Sequence, residues 1–170
     1  MLYCGFHDES TFGATSWLVL RPAGNVPVDV PRFSAPLGER IAALGGVKLL
    51  FLTHRDHVGD HEKFAARFGG ERVLHRGDLT EKTRGVERLI DGVEPVTLAP
   101  DLLVIPTPGH PYAFRDACWH DWRELQESMR RLARFRFEWI LPGHGAPGHA
   151  SIGEMQAAMA RCLDWLTRAG

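Results

Sequence analysis

Short apolar runs alternate with amphipathic segments along the whole chain, which is the pattern of a mixed α/β fold. The apolar runs predict strands, and segments with apolar residues every three or four positions predict helices. The predicted strands cover residues 16–21, 26–30, 47–53, 72–75, 93–100, 101–110 and 137–141. The predicted helices cover 37–44, a segment from about Gly59 to a glycine stop at Gly69 and Gly70, 120–135 and a final segment after Ser151. The polar segment 76–92 has no pattern that predicts an element.

Local signals refine three of these elements. The PAGN sequence at 22–25 favours a turn, which predicts a hairpin and places Pro27 at a sheet edge or a bulge. Residues 47–53 (VKLLFLT) are almost continuously apolar, as in a strand that is covered on both faces. Ser151 and Glu154 have the spacing of a capping box and predict the start of the last helix.

Composition narrows the class of protein. With 44% hydrophobic residues, 24% charged residues and a net charge of -1, the chain is typical of a globular protein and gives no sign of nucleic-acid binding. Its 170 residues fit one domain, predicted to span residues 1–170. The three cysteines are scattered, so no disulfide framework is indicated. We find no apolar run of membrane-spanning length and no signal-peptide pattern, so we expect a cytoplasmic protein that does not contact membranes.

Histidines lie at or just after the ends of three of the predicted strands. These are His54, His110 and His144. Loops at strand ends are held by a rigid sheet, so side chains from separate loops can converge on one metal ion. A single histidine in such a place is more often structural, but three loops that each offer one predict a metal site. Imidazoles together with carboxylates suit zinc, iron or manganese.

The loop after the strand at 47–53 is rich in metal-ligand side chains. Within eight positions it holds three histidines and two aspartates, namely His54, Asp56, His57, Asp60 and His61. His57 and His61 are four residues apart and share a helix face if the helix begins near Asp56.

Several of these segments resemble the motifs of a known family. Three segments resemble the successive metal-binding motifs of the metallo-β-lactamase superfamily and occur in the same order. They are THRDHVGDH at 53–61, TPGH at 107–110 and LPGHG at 141–145. Asp29 in VDVP resembles the aspartate that ends an early strand in that family and braces the first metal loop. The similarity is greatest to a branch that occurs alone or beside ferredoxin-like domains. Its motifs are matched here by CGFH at 4–7, GNVPVDVPRF at 24–33, FLTHRDH at 51–57, ACWHDW at 117–122 and FEWILPGHG at 137–145.

The resemblance implies a fold, a reaction and a ligand set. The fold is a four-layer αββα sandwich with the metal at one edge of the two sheets. The reaction is hydrolysis of an ester, amide or phosphodiester in a small-molecule substrate, by water that the metal activates. One or two zinc ions are the expected cofactor, with iron or manganese as alternatives. The implied ligands are His54, His110 and His144, with Asp56, His57, Asp60 and His61 competing for the remaining positions and Asp56 and Asp60 as catalytic carboxylates.

Two alignments of the first motif remain open. If His54 takes the place of the family's first histidine, Asp56 replaces the second and the remaining ligands are Asp60 and His61. If HRDHVG is aligned with the family's HxDHxG, Asp56 and His57 are ligands and Leu52 replaces the first histidine. In both alignments one imidazole ligand is lost relative to the family. A site with fewer imidazoles and more oxygen ligands shifts the preference from zinc towards iron or manganese.

The segment after His110 departs further from the family pattern. There the family continues with a strand pair and a metal-bridging aspartate, whereas this chain continues with PYAFRDACW. We therefore expect a shortened fold that binds one metal ion or none. A bared sheet edge also suggests a homodimer. Two rival functions follow: a non-catalytic or interaction domain of the same fold, and iron-dependent redox chemistry.

Overall fold

The computed structural model describes residues 1–6, 13–108 and 121–169, which hold ten strands, four α-helices and one short 3-10 helix. The strands are β1 (Leu2–Phe6), β2 (Thr15–Val19), β3 (Val26–Val28), β4 (Leu49–Phe51), β5 (Glu71–His75), β6 (Arg88–Ile90), β7 (Val96–Ala99), β8 (Leu102–Val104), β9 (Trp139–Ile140) and β10 (Gly148–His149). The helices are α1 (Ala35–Ala43), α2 (His61–Phe68), α3 (Trp122–Leu132) and α4 (Ile152–Arg168), and the 3-10 helix is Arg76–Asp78.

The chain divides into two compact units. The first contains Met1–Asp91 with Leu141–Ala146, and the second contains Gly92–Ile140 with Pro147–Gly170. The sequence-based prediction of a single domain over 1–170 stays a prediction.

A six-stranded sheet forms the centre of the first unit, in the order β1-β2-β3-β4-β5-β6. β1, β2 and β3 are antiparallel, and β3 to β6 are parallel. Helix α1 connects β3 to β4, and helix α2 connects β4 to β5. The apolar run at 47–53 supplies β4, where Leu50 is completely buried as expected for an interior parallel strand. The carboxyl ends of β3, β4 and β5 therefore meet at one edge of the sheet.

The predicted hairpin is confirmed, since β2 and β3 pair antiparallel around the PAGN turn. The placement of Pro27 at an edge or bulge is wrong, because β3 lies between β2 and β4. A proline, which has no N–H to donate, is tolerated there because β3 pairs with β4 through only one residue pair, Val28 with Phe51. The neighbouring Asp29 N–H continues the contact and donates to the Phe51 carbonyl at 2.8 Å.

Both crossover helices have local signals at their ends. The Ser34 hydroxyl accepts a hydrogen bond from the Leu37 N–H and caps α1. Helix α2 ends at Gly69, whose φ of 68° is the left-handed conformation that glycine adopts without strain. Phe64 of α2 is completely buried and meets the Phe33 ring edge-on, with the ring centroids 5.1 Å apart. The core of this unit consists of Leu18, Val30, Ile41, Val47, Leu50, Leu52, Val58, Phe64, Leu74 and Val86.

The second unit combines two short hairpin ladders with two helices. β7 pairs with β8 and β9 pairs with β10, both antiparallel. Helices α3 and α4 meet through Trp122 and Trp165, whose rings are 6.1 Å apart and nearly perpendicular. The capping box predicted at Ser151 and Glu154 is confirmed. No helix in the described ranges is both long and apolar enough to span a membrane.

Candidate metal centre

The candidate site lies at the carboxyl ends of the parallel strands of the first unit. Asp29 directly follows β3, and the loop from His54 to His57 follows β4. Asp78 ends the 3-10 helix that follows β5. The topology of the sheet thus brings together side chains that are up to 49 residues apart in sequence. Ligand sites in open α/β sheets form at this end of the strands.

Asp29 fixes the start of the loop after β4. Its carboxylate accepts hydrogen bonds from the Thr53 N–H and the Thr53 hydroxyl, both at 2.7 Å. Its backbone φ is 54°, the one positive value at a non-glycine residue in the described part of the chain. The same carboxylate lies 3.6 Å from Nδ1 of His57. Asp29 is only 3% exposed, so its carboxylate lies beside the His57 ring in a buried position.

His57 and His144 face each other. Their Nε2 atoms are hydrogen-bonded to each other at 3.1 Å, and their ring centroids are 5.0 Å apart. His144 belongs to the loop Leu141–Ala146, which packs within the first unit. Partial burial of the His144 ring, followed by the nearby His57 ring, lowers the pKa of His144, and Asp29 opposes this effect.

His54 and Asp56 lie beside this pair. The His54 ring centroid is 5.5 Å from that of His57. Nδ1 of His54 is 3.5 Å from the Asp56 carboxylate, and Nε2 is 3.8 Å from the Asp78 carboxylate. Asp78 also binds the Arg55 guanidinium at 3.3 Å. The loop therefore presents a mixed imidazole and carboxylate surface next to His57.

Asp60 and His61 are directed elsewhere. The Asp60 carboxylate accepts the Phe33 N–H at 2.8 Å and pairs with Lys63 at 3.1 Å. Burial alone would raise the pKa of Asp60. The hydrogen bond from the Phe33 N–H and, after it, the contact with Lys63 outweigh burial, so the pKa of Asp60 is lowered. Asp60 therefore connects the start of α2 to the segment after β3.

His61 is a buried structural histidine, 3% exposed. Its Nδ1 atom is 3.2 Å from an Arg72 guanidinium nitrogen, and its Nε2 atom is 3.3 Å from the Lys82 carbonyl. Since the guanidinium can only donate, Nδ1 accepts and Nε2 carries the proton. Burial, with the Arg72 charge second, lowers the pKa of His61. Both ring nitrogens of His61 are thus occupied by hydrogen bonds to the protein.

The sequence reasoning overlooked two groups that shape the site. Asp78 was not singled out, although its position after β5 is a signal that could have found it. The contacts of β2 with the His144 loop were also missed: the Thr15 N–H donates to the Gly143 carbonyl at 2.6 Å, and the Trp17 indole N–H donates to the Pro142 carbonyl at 3.1 Å. His75, in contrast, accepts the Gly77 N–H at 3.1 Å and caps the 3-10 helix, as a structural histidine does.

Comparison with known proteins defines the fold. No protein-family model and no curated protein matches the chain. Among solved structures, VMB-1 is similar with a TM-score of 0.63 and 12% identity over 92% of this chain and 86% of that chain. The class B3 di-zinc metallo-β-lactamase LRA-12 from an Alaskan soil metagenome has a TM-score of 0.59 and 15% sequence identity, over 98% of this chain and 88% of that chain. The FEZ-1 metallo-β-lactamase from Legionella gormanii has a TM-score of 0.52 and 13% sequence identity, over 98% of this chain and 88% of that chain.

The chain has the metallo-β-lactamase fold. At 12 to 15% identity, these similarities show the fold alone. The chain covers 86 to 88% of these metallo-β-lactamase-fold structures, which agrees with the shortened form expected from the sequence.

The spacing of His57 and His144 matches that of two imidazole ligands on one zinc ion. Two nitrogens bound to one tetrahedral zinc at about 2.0–2.1 Å lie roughly 3.3 Å apart, so the His57 and His144 separation of 3.1 Å suits a shared ion. Among the described residues no group of three histidine, cysteine, aspartate or glutamate side chains converges closely enough to hold a metal. His110, a predicted ligand, lies outside the described residues. Two imidazoles thus fit the metal, and the remaining ligands are not identified among the described residues.

Proposed function

We propose that this protein is a metal-dependent hydrolase whose metal ion is bound by His57 and His144. The observation that carries the proposal is the 3.1 Å separation of the two Nε2 atoms at the carboxyl edge of the sheet. The metallo-β-lactamase fold, which the class B3 di-zinc metallo-β-lactamase LRA-12 also has, supports the reaction class. Zinc is the expected ion because the paired donors are imidazole nitrogens.

The ligand set that we propose follows the second alignment of the first motif. Leu52, which takes the place of the first histidine in that alignment, is 1% exposed and belongs to the core. His61, which the other alignment requires, donates and accepts hydrogen bonds within the protein. We therefore assign His57 to the metal and Asp56 to the water beside it, with His54 and His110 as further candidate ligands. A single zinc ion per chain is expected.

Each proposed residue has a separate role in the chemistry. When bound, zinc lowers the pKa of water towards neutrality and polarises the bond to be cleaved. His57 and His144 bind the ion, and Asp29 orients His57 through its Nδ1 edge. Asp56, whose side chain is 47% exposed, accepts a proton from the attacking water. Asp60 has no catalytic role in this proposal because its carboxylate binds the Phe33 N–H.

Metal analysis of tag-free protein tests the proposal. After zinc loading and desalting, mass spectrometry should find about one zinc ion per wild-type chain. The His57→Ala and His144→Ala variants should lose most of this zinc. His149→Ala is the matched control, because His149 is an exposed histidine that stacks on Trp139 in the second unit. Equal zinc content in the wild type and in both site variants would contradict the proposed ligands.

A substrate panel then tests the reaction. Phosphodiesters, thioesters and lactones should be assayed with zinc-loaded wild type and with Asp56→Asn. We expect hydrolysis of at least one class, with kcat reduced about 100-fold or more in Asp56→Asn if Asp56 transfers the proton. Iron content with a visible absorption band would instead support the redox function.

A second function, a non-catalytic domain of the same fold, is favoured by one observation. The described residues offer no complete three-ligand group, whereas a catalytic zinc site has three protein ligands. This alternative predicts less than about one tenth of a metal ion per chain after desalting, with no hydrolysis in any substrate class.

A further inference from the structure

We infer that Trp17 is a positioning residue that holds the His144 loop against β2 and so sets the distance between His144 and His57. The inference rests on the proposed function, because its consequence is metal affinity. Trp17 pairs with Val28, the last residue of β3. Val28 directly precedes Asp29, the residue that braces the loop after β4.

Two hydrogen bonds connect β2 to the His144 loop. The Trp17 indole N–H donates to the Pro142 carbonyl at 3.1 Å, two residues before His144. The Thr15 N–H donates to the Gly143 carbonyl at 2.6 Å, one residue before His144. Two consecutive carbonyls of the loop are therefore fixed to one strand, which restricts both the position and the rotation of the backbone that carries His144.

The other side of the same loop meets His57. A Cβ atom added at Gly143 would lie 3.7 Å from the His57 ring, which is ordinary van der Waals contact. The loop thus runs between β2 and the His57 ring. A movement of the Pro142 carbonyl away from β2 changes where His144 Nε2 lies relative to His57 Nε2. Metal sites tolerate only a few tenths of an ångström of such displacement.

The side chain of Trp17 is itself held in place. Its ring meets Tyr3 of β1 edge-on, with centroids 5.9 Å apart and an interplanar angle of 73°. Tyr3 is 52% exposed, so this contact can be removed at the surface without changing the indole N–H. Trp17 therefore offers a test in which its hydrogen bond and its packing are altered separately.

Zinc affinity is the first readout. Trp17→Phe removes the donor and keeps an aromatic ring, and it should weaken zinc binding about 3- to 10-fold in a competition titration with a chromophoric chelator. Tyr3→Leu is the matched control, which removes the ring contact and keeps the donor, and its zinc affinity should stay within about 2-fold of the wild type. Equal zinc affinities for Trp17→Phe and Tyr3→Leu would overturn the inference.

Amide hydrogen exchange of the metal-free proteins is the second readout, and it does not depend on metal binding. Peptides that cover Leu141–Ala146 should exchange faster in Trp17→Phe than in the wild type or Tyr3→Leu, while peptides covering β4 and β5 should exchange alike in all three. If the wild type binds no zinc, the proposed function fails, and amide hydrogen exchange alone then tests whether Trp17 positions the His144 loop. Unchanged exchange of the loop in Trp17→Phe would then refute the positioning role.

Discussion

Replacement of His61 by alanine should destabilise the protein without removing its metal. His61 is 3% exposed, and its ring joins the Arg72 guanidinium to the Lys82 carbonyl. The variant loses both hydrogen bonds, at about 0.5–1.5 kcal/mol each, and leaves a buried donor and a cavity behind. We expect the free energy of unfolding to fall by about 2–4 kcal/mol.

Urea unfolding followed by circular dichroism measures this loss. With a denaturant dependence of about 2 kcal/mol per molar, the midpoint should fall by about 1–2 M in His61→Ala. Zinc content per folded chain should stay at the wild-type level. His57→Ala is the matched comparison four residues away, and it should show the reverse: little change in the metal-free midpoint and loss of zinc. Loss of zinc in His61→Ala with an unchanged midpoint would refute the structural role.

The pH dependence of stability gives an independent check on His61. Its pKa is lowered in the folded state, so the unfolded chain binds the proton first as the pH falls. Its contribution to stability is therefore complete above the unfolded pKa of about 6.5 and decreases as the pH falls below that value towards the folded pKa. The wild type should lose stability as the pH falls below about 6.5, and His61→Ala should lose less over the same range.

Two further substitutions test separate parts of the first unit. In Gly59→Ala the new Cβ would lie 2.0 Å from the Val30 carbonyl oxygen, so we expect the free energy of unfolding in urea to fall by about 3 kcal/mol or more. Gly69→Ala, whose Cβ would have nothing within 4 Å, should lower it by about 1 kcal/mol. Equal losses in the two variants would contradict this expectation. The Arg72 hydrogen bonds lower the pKa of Glu87 from 4.5 to about 2, so its contribution is complete above pH 4.5 and is lost as the pH falls towards 2. The melting temperature of Glu87→Gln should vary less over that range than that of the wild type, and parallel curves would count against the ion pair.

Elements with local signals could be predicted from the sequence. The apolar run of β4, the turn between β2 and β3, and the capping box of α4 each depend on residues close together in the chain. Strands β1, β6 and β10 were not predicted, because each is stabilised by pairing with another strand rather than by a pattern of its own. Non-local pairing leaves little trace in a local pattern.

The different positions of His57 and His61 could not be predicted from the sequence. His57 and His61 would share a helix face if the helix began near Asp56, but α2 begins at His61. Gly59 explains this boundary, since its φ of 46° and its close approach to the Val30 backbone hold the loop in a non-helical path. His57 therefore stays in the loop beside His144, and His61 enters the helix and faces Arg72. That outcome depends on a backbone contact between segments 29 residues apart.

The contacts of Arg72 connect three segments that are separate in sequence. From β5 its guanidinium reaches His61 at the first turn of α2, the Gly85 carbonyl, and the Glu87 carboxylate beside edge strand β6. A lysine could bind one of these groups but not all three, because its ammonium is a single point rather than a planar fork. Fluctuations that release β6 from the sheet should consequently release the amino-terminal turn of α2 as well. The sheet edge and the helix would then behave as one cooperative folding unit rather than two.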